Sequence, residues 1–150
     1  MALGEALALQ GDGKILVAGN APVGGSTGFA LMRLGANGSP DNGFGTAGLA
    51  TTAFTTLDDL GGAIAVQADG RILVAGRSSN QSNSDFAVAR YATNGTLDSS
   101  FGIGGKLTID FFGSFDGAEN VVVQPDGKIV LGGFARNVRR TGYGLARVLP

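Results

Sequence analysis

Gln10-Gly-Asp-Gly-Lys-Ile-Leu-Val-Ala-Gly19 returns as Gln67-Ala-Asp-Gly-Arg-Ile-Leu-Val-Ala-Gly76 and again as Gln124-Pro-Asp-Gly-Lys-Ile-Val-Leu-Gly-Gly133. The copies open at Gln10, Gln67 and Gln124, an equal step each time and without an insertion. A second phrase keeps that step: Phe29-Ala-Leu-Met-Arg-Leu34, Phe86-Ala-Val-Ala-Arg-Tyr91 and Tyr143-Gly-Leu-Ala-Arg-Val148. Register therefore holds across whole units. Self-similarity at a period of a few tens of residues marks an array, because each unit has an apolar face that only a neighbouring unit can cover.

Within the second unit, Ala63–Gln67 reads as a strand A and Arg71–Gly76 as a strand B, with Ala68-Asp-Gly70 between them as a hairpin turn. Asp-Gly suits such a turn because glycine reaches positive φ without strain. Strand C is read at Asp85–Tyr91 and strand D at Lys106–Phe111, joined by Asn94-Gly-Thr-Leu-Asp-Ser-Ser-Phe-Gly102. Strands A and B are almost continuously apolar, so both faces of the small sheet must be covered. Four-stranded antiparallel meanders stacked face to face predict an all-β chain of β-propeller blades, with A innermost and D outermost. The units are residues 1–57, 58–114 and 115–150, forming one propeller-repeat domain.

Gln-x-Asp-Gly-Lys-Ile-Leu-Val-Ala-Gly, then Phe-Ala-x-x-Arg-Tyr, then Asn-Gly-Thr-Leu-Asp-Ser-Ser-Phe-Gly-x-Gly-Gly-Lys together resemble the delta-sixty repeat family of bacterial β-propeller-like proteins. The resemblance covers essentially the whole chain. It implies a propeller belonging to large, often exported or surface-attached bacterial proteins. It implies neither a general catalytic activity nor shared catalytic residues.

Composition narrows function by exclusion. The 150 residues contain no cysteine and no histidine, and the net charge is -1. Cysteine nucleophiles, thiolate metal sites, Ser-His-Asp triads and histidine-zinc sites are thereby excluded. No basic stripe offers itself to phosphates, so nucleic acid is not expected as a partner. No apolar run reaches the roughly 20 residues of a membrane helix, and the N-terminus enters the repeat without the pattern of a signal peptide. No cofactor, metal or catalytic set is expected.

The third unit ends at Val148-Leu-Pro150 and reads as A, B and C without an outer strand, which gives two and three-quarter blades. Propellers close with roughly four to eight blades. Three blades alone would leave two large apolar faces in water. The expectation is self-association of two chains, head to tail, into a six-bladed ring, in a fragment or engineered part of a longer bacterial repeat protein.

Candidate sites follow from the repeat. Asp12, Asp69 and Asp126 each precede a turn glycine and read as turn formers. Arg33, Arg90 and Arg147 lie inside apolar strand C, where a guanidinium is costly without a partner; Asp41 and Asp98 are the expected partners, with ligand binding as the alternative. The third unit has no such aspartate, which leaves Arg147 the least satisfied. Phe44 and Phe101 read as wedges between blades. The B-to-C connections diverge most, as Asn20–Thr27, Arg77–Ser84 and Phe134–Thr141, and share a rim with the D-to-A connections. That rim carries Asp58, Asp59 and Asp116 against Arg136, Arg139 and Arg140, the candidate ligand residues. The leading functional expectation is a non-enzymatic scaffold that assembles with itself. The alternatives are a modular ligand or glycan binder using that rim, and a hydrolase built on Asp58, Asp59, Asp116 or Glu119, for which no pairing signal selects two carboxylates.

Overall fold

A computed structural model describes residues 3–150. Eleven strands follow one another: β1 (Leu3–Leu9), β2 (Ile15–Val23), β3 (Ser26–Leu34), β4 (Leu49–Thr52), β5 (Asp59–Val66), β6 (Ile72–Ser79), β7 (Ser84–Tyr91), β8 (Lys106–Ile109), β9 (Asp116–Val123), β10 (Ile129–Arg136) and β11 (Thr141–Val148). They form two four-stranded sheets, β1-β2-β3-β4 and β5-β6-β7-β8, and a three-stranded sheet, β9-β10-β11. Every pairing is antiparallel between sequence neighbours. These are three blades of a propeller, with β1, β5 and β9 side by side on the inner edge.

The A-to-B turn is the same object three times. In the first copy the amide of Gln10 donates to the carbonyl of Lys14, and in the second and third Gln67 and Gln124 do the same to Arg71 and Lys128. Gly13, Gly70 and Gly127 sit at φ 82°, 84° and 84°, the left-handed region that only glycine enters freely. Asp12, Asp69 and Asp126 accept the amides of Lys14, Arg71 and Lys128. The repeated Asp-Gly is used to build the hairpin.

Continuous apolarity in strand B has a direct cause. In β6, Ile72 and Val74 enter a core shared with blade 1, beside Leu16, Phe29 and Leu31. Their neighbours Leu73 and Ala75 enter a second core shared with blade 3, beside Ile129 and Leu131. Successive strand residues point to opposite faces, so a central blade sandwiched by two others buries both sets. Tyr91 completes the first core: its hydroxyl donates to Thr52 of blade 1 at 2.8 Å, and burial pushes its phenol up to about 12.

Several sequence boundaries are corrected. Strand A of the second unit begins at Asp59 rather than Ala63, because a bulge between Gly61 and Ala63 carries the pairing on through Gly61-Gly62. The B and C strands also run further into their loops than composition suggests. Pairing continues to Val23↔Ser26 and Ser79↔Ser84, and the first hairpin closes on Gly24-Gly25 alone, both at positive φ. Polar residues such as Arg77 and Ser78 therefore lie in β6, since backbone pairing does not require apolar side chains. Strand D is shorter than expected, ending at Ile109.

Candidate functional site

The bulge in each inner strand decides what faces the propeller axis. Pairing passes from Gly4↔Gly19 to Ala6↔Ala18, from Gly61↔Gly76 to Ala63↔Ala75, and from Ala118↔Gly133 to Asn120↔Gly132. The residues left without a partner are Glu5, Gly62 and Glu119, one per blade and at the same repeat position. A bulge leaves its extra residue unpaired and re-aims its side chain. The space for it is made by glycine at the end of each repeated B phrase. A Cβ on Gly19, Gly76 or Gly133 would lie 1.8, 1.9 or 2.0 Å from the carbonyl oxygen of Leu3, Leu60 or Gly117. The terminal glycine of Leu-Val-Ala-Gly is thus demanded by the bulge opposite it.

Glu5 and Glu119 line a depression of about 330 Å³, together with Asn20, Gly62, Arg77 and Phe134. Asn20, Arg77 and Phe134 also share one repeat position. The depression is therefore made from two rings of equivalent positions whose side chains differ from blade to blade. Glu5, Arg77 and Glu119 are exposed, which puts two carboxylates and one guanidinium at the axial mouth. Asn20 serves the fold as well: its Oδ1 accepts the amide of Gly61 in the next blade at 2.7 Å. Such a mouth can hold a polar ligand by charge-assisted hydrogen bonds.

The rim read from sequence divides. Arg136, Arg139 and Arg140 are exposed, as is Asp58. Asp58 accepts the Ser26 hydroxyl and the Thr27 amide, and the Thr27 amide foremost holds its carboxyl below the ordinary value. Asp59 and Asp116 are not on the rim, because both are fully buried. Asp59 accepts the amides of Phe54 and Thr55 and the Ser78 hydroxyl. Asp116, its counterpart in the next unit, accepts the amides of Phe111 and Arg136. These carboxylates close the chain's path from one blade into the next, where loose amides would otherwise be buried.

Among the described residues, the strand C arginines find carboxylate partners in two blades of three. Arg33 Nε donates to Asp41 at 2.9 Å and Arg90 Nε to Asp98 at 2.8 Å. Each aspartate also takes the cation of its own A-to-B turn, Lys14 at 3.3 Å and Arg71 at 3.1 Å. The guanidinium carbons lie 4.5 and 4.7 Å from the ring centres of Phe44 and Phe101, and both phenylalanines are buried in the inter-blade cores. Arg33 reaches further, donating to the carbonyl of Thr93 in blade 2. Arg147 is exposed.

One grouping had no signal in the sequence. Asp85, Asp110 and Asp116 bring carboxylate oxygens within 4.8 Å of one another. Position 85 is glycine in the other two units, at Gly28 and Gly142, so the repeat gives no hint of it. Burial, then the charges of Asp110 and Asp116, push the Asp85 carboxyl up, against a lowering contribution from Asn80. Asp85 also borders a groove of about 420 Å³ on the outer side of blade 2, with Phe54, Asn80 and Lys106. Glu5 was recoverable in principle, since positions 5, 62 and 119 fall on the repeat step.

No curated protein matches the chain. A family model described as a domain of unknown function (DUF5122) beta-propeller matches residues 10–44, 67–101 and 124–150. Those stretches contain the A-to-B turn, the B and C strands and, in the first two copies, the connection as far as Phe44 and Phe101. Matched over more than half its length, the chain belongs to the DUF5122 beta-propeller family.

Proposed function

We propose that this chain is a non-enzymatic scaffold unit, built from repeats of the delta-sixty type, whose two open blade faces close on a second copy to make a six-bladed ring. The observation that carries this reading is that each open face repeats a filled one. Ile64, Val66 and Val74 pack blade 2 against blade 1, and their counterparts on the free face of blade 1 are Leu7, Leu9 and Val17. Leu7 and Leu9 are 69% and 70% exposed. Ala65, Phe86 and Val88 face blade 3, and their counterparts on its free side are Val122, Tyr143 and Leu145, which are 56%, 101% and 72% exposed.

The free side of blade 3 is thus built to receive a blade, and the free side of blade 1 to be received. Contacts of this head-to-tail kind form a ring when the rotation closes. Two copies give six blades, inside the range of known propellers, whereas three would give nine. Closure would also surround the axial mouth, doubling its glutamates and arginine. That supports a second role for the ring, as a holder of a polar ligand on its axis.

Light scattering after size exclusion tests the reading. The expected species is about twice the 15.0 kDa chain, and Leu7→Asp or Leu145→Asp gives folded monomer. A wild-type chain that stays folded at 15.0 kDa across concentrations overturns it.

A further inference from the structure

The groove of about 420 Å³ on the outer side of blade 2 is walled by side chains between Phe54 and Thr108, all of them from blades 1 and 2. Three of these side chains break the repeat. Ser78, Asp85 and Lys106 line the groove, where the first unit carries Ala21, Gly28 and Leu49, and the third carries Ala135 and Gly142 at the first two positions. Small or apolar residues suffice for stacking there, so the second unit alone gathers polar groups at this place.

Strand register puts the two charges on one face of the blade. Side chains alternate between faces along a strand, and Asp85 shares its face with Ala87 and Ala89, which enter the core shared with blade 1. Lys106 stands directly opposite Ala89. Asp85 and Lys106 are thus separated by about 13 Å of strand, at about 3.3 Å per residue. Apolar lining comes from Phe54, Ile103 and Leu107.

Neither charge is fully partnered. Asp85 Oδ2 accepts from Asn80 Nδ2 at 3.1 Å, but its Oδ1 is buried without a hydrogen-bond partner. Carboxylate oxygens of Asp110 and Asp116 come within 4.8 Å, and among the described residues no cation pairs with any of the three. An acceptor held in this way favours an arriving donor, and a cationic one most. Lys106 Nζ donates to the carbonyl of Ala53 at 2.9 Å and lies 5.6 Å from the centre of the Phe54 ring. An ammonium carries three donors, so capacity remains for a second acceptor. A bare metal ion would use the carboxylates and leave the apolar walls and Lys106 without a role.

We infer that this groove binds a small amphoteric molecule, with its ammonium on Asp85, its carboxylate on Lys106 and an apolar body along Phe54 and Ile103. A volume of about 420 Å³ falls in the range of small-molecule sites. A short apolar peptide has the required chemistry: an extended tripeptide spans about 10 Å, and the lysine side chain reaches the remainder. The groove shares no lining residue with the axial mouth and does not depend on ring closure.

The test is calorimetric titration of the full chain with tri-leucine, the site being read from amide NMR shifts. One saturable site is expected, with shifts at Phe54, Asp85 and Lys106 to Thr108. N-acetyl tri-leucine and tri-leucine amide, each lacking one charge, bind about tenfold more weakly, the scale of one charged hydrogen bond. Asp85→Asn weakens tri-leucine to the same extent and leaves the acetylated peptide as it was. Lys106→Leu, which places the blade 1 residue there, does the same for the amide, because each pair of changes removes one contact. The peptide comparisons use the wild-type chain, so they decide the matter even if a variant fails to fold. The inference is overturned by absence of saturable binding, by acetylated and amidated peptides that bind as tightly as the free one, or by shifts confined to other residues. Binding of calcium chloride without binding of peptide would assign the three carboxylates to a metal and overturn it as well.

Discussion

Gly76 lies so close to the carbonyl oxygen of Leu60 that a Cβ on it would stand 1.9 Å away. The obstacle is backbone, held in place by the bulge that exposes position 62, and cannot swing aside like a side chain. Gly76→Ala is therefore expected to cost about 3 kcal/mol, at the upper end of ordinary single substitutions. Gly62→Ala, on the same strand pair but with nothing within 4 Å of its added carbon, is expected to change stability by less than about 0.5 kcal/mol. Urea unfolding of the two variants measures the difference, and equal losses would refute the bulge account.

Arg90 and Arg147 occupy one repeat position in opposite environments. Arg90 is 2% exposed and is held by Asp98 and by Ser100, whose hydroxyl accepts from Nη2 at 3.0 Å. Arg90→Ala leaves the Asp98 carboxylate without its closest cation and opens space beside Phe101, at an expected cost of about 3 kcal/mol. Arg147→Ala is expected to fall within about 0.5 kcal/mol of wild type. Thermal unfolding distinguishes them, and a large loss from Arg147→Ala would contradict the exposed placement.

Ala47 is the non-glycine residue at positive φ among those described, at 52°. Its counterpart in the second unit is Gly104, at φ 60°. An L residue in this region carries steric strain that glycine does not. Ala47→Gly is expected to raise stability by roughly 0.5–1 kcal/mol, after the entropy glycine gives up on folding. A fall in the unfolding temperature would show that no strain is stored there.

Asp85 and five loop aspartates respond to pH with opposite sign. Asp12, Asp41, Asp58, Asp98 and Asp126 all lie below their ordinary value of 3.8. The stability they contribute is present above the unfolded value and is lost as pH falls through their lower folded values. The Asp85 carboxyl is raised, so its ionisation opposes folding at neutral pH, and the penalty disappears as pH falls through the raised value towards 3.8. Asp85→Asn is expected to unfold at higher temperature than wild type at pH 7, with the gap closing as the solution is acidified. A gap that is constant with pH would mean that charge is not its cause.

The repeat made the blades legible because turn, strand and register are each fixed by local chemistry copied at one step. Asp-Gly closes a hairpin whatever surrounds it, and a run such as Ile72–Ala75 can be apolar throughout only where both faces are covered. What escaped depends on contacts between distant segments. Gly61-Gly62 looks like a break until Gly76 is seen opposite, and a bulge is a property of two strands that neither sequence carries alone. Asp59 read as a rim charge because the sequence places it, with Asp58, in the connection from strand D to the next strand A. Only the fold brings the amides of Phe54 and Thr55 and the Ser78 hydroxyl around it. The shared repeat position of Asp59 and Asp116 was the available clue, since a position kept across blades serves stacking, while one that varies, such as Asn20, Arg77 and Phe134, is free to serve the axis.

The sharing of β6 between two cores, with Ile72 and Val74 turned to one neighbour and Leu73 and Ala75 to the other, bears on inheritance. Each unit carries both halves of a joint, one for the unit before it and one for the unit after. Duplicating or deleting one whole unit therefore transmits a complete joint with every copy, and blade number can change one step at a time without a new interface having to arise. Point changes behave differently, because a substitution at Ile72 is felt at one joint while its copies at Ile15 and Ile129 remain as they were. Blade number is the variable that evolves most cheaply in such a chain, and the joint is the one held constant.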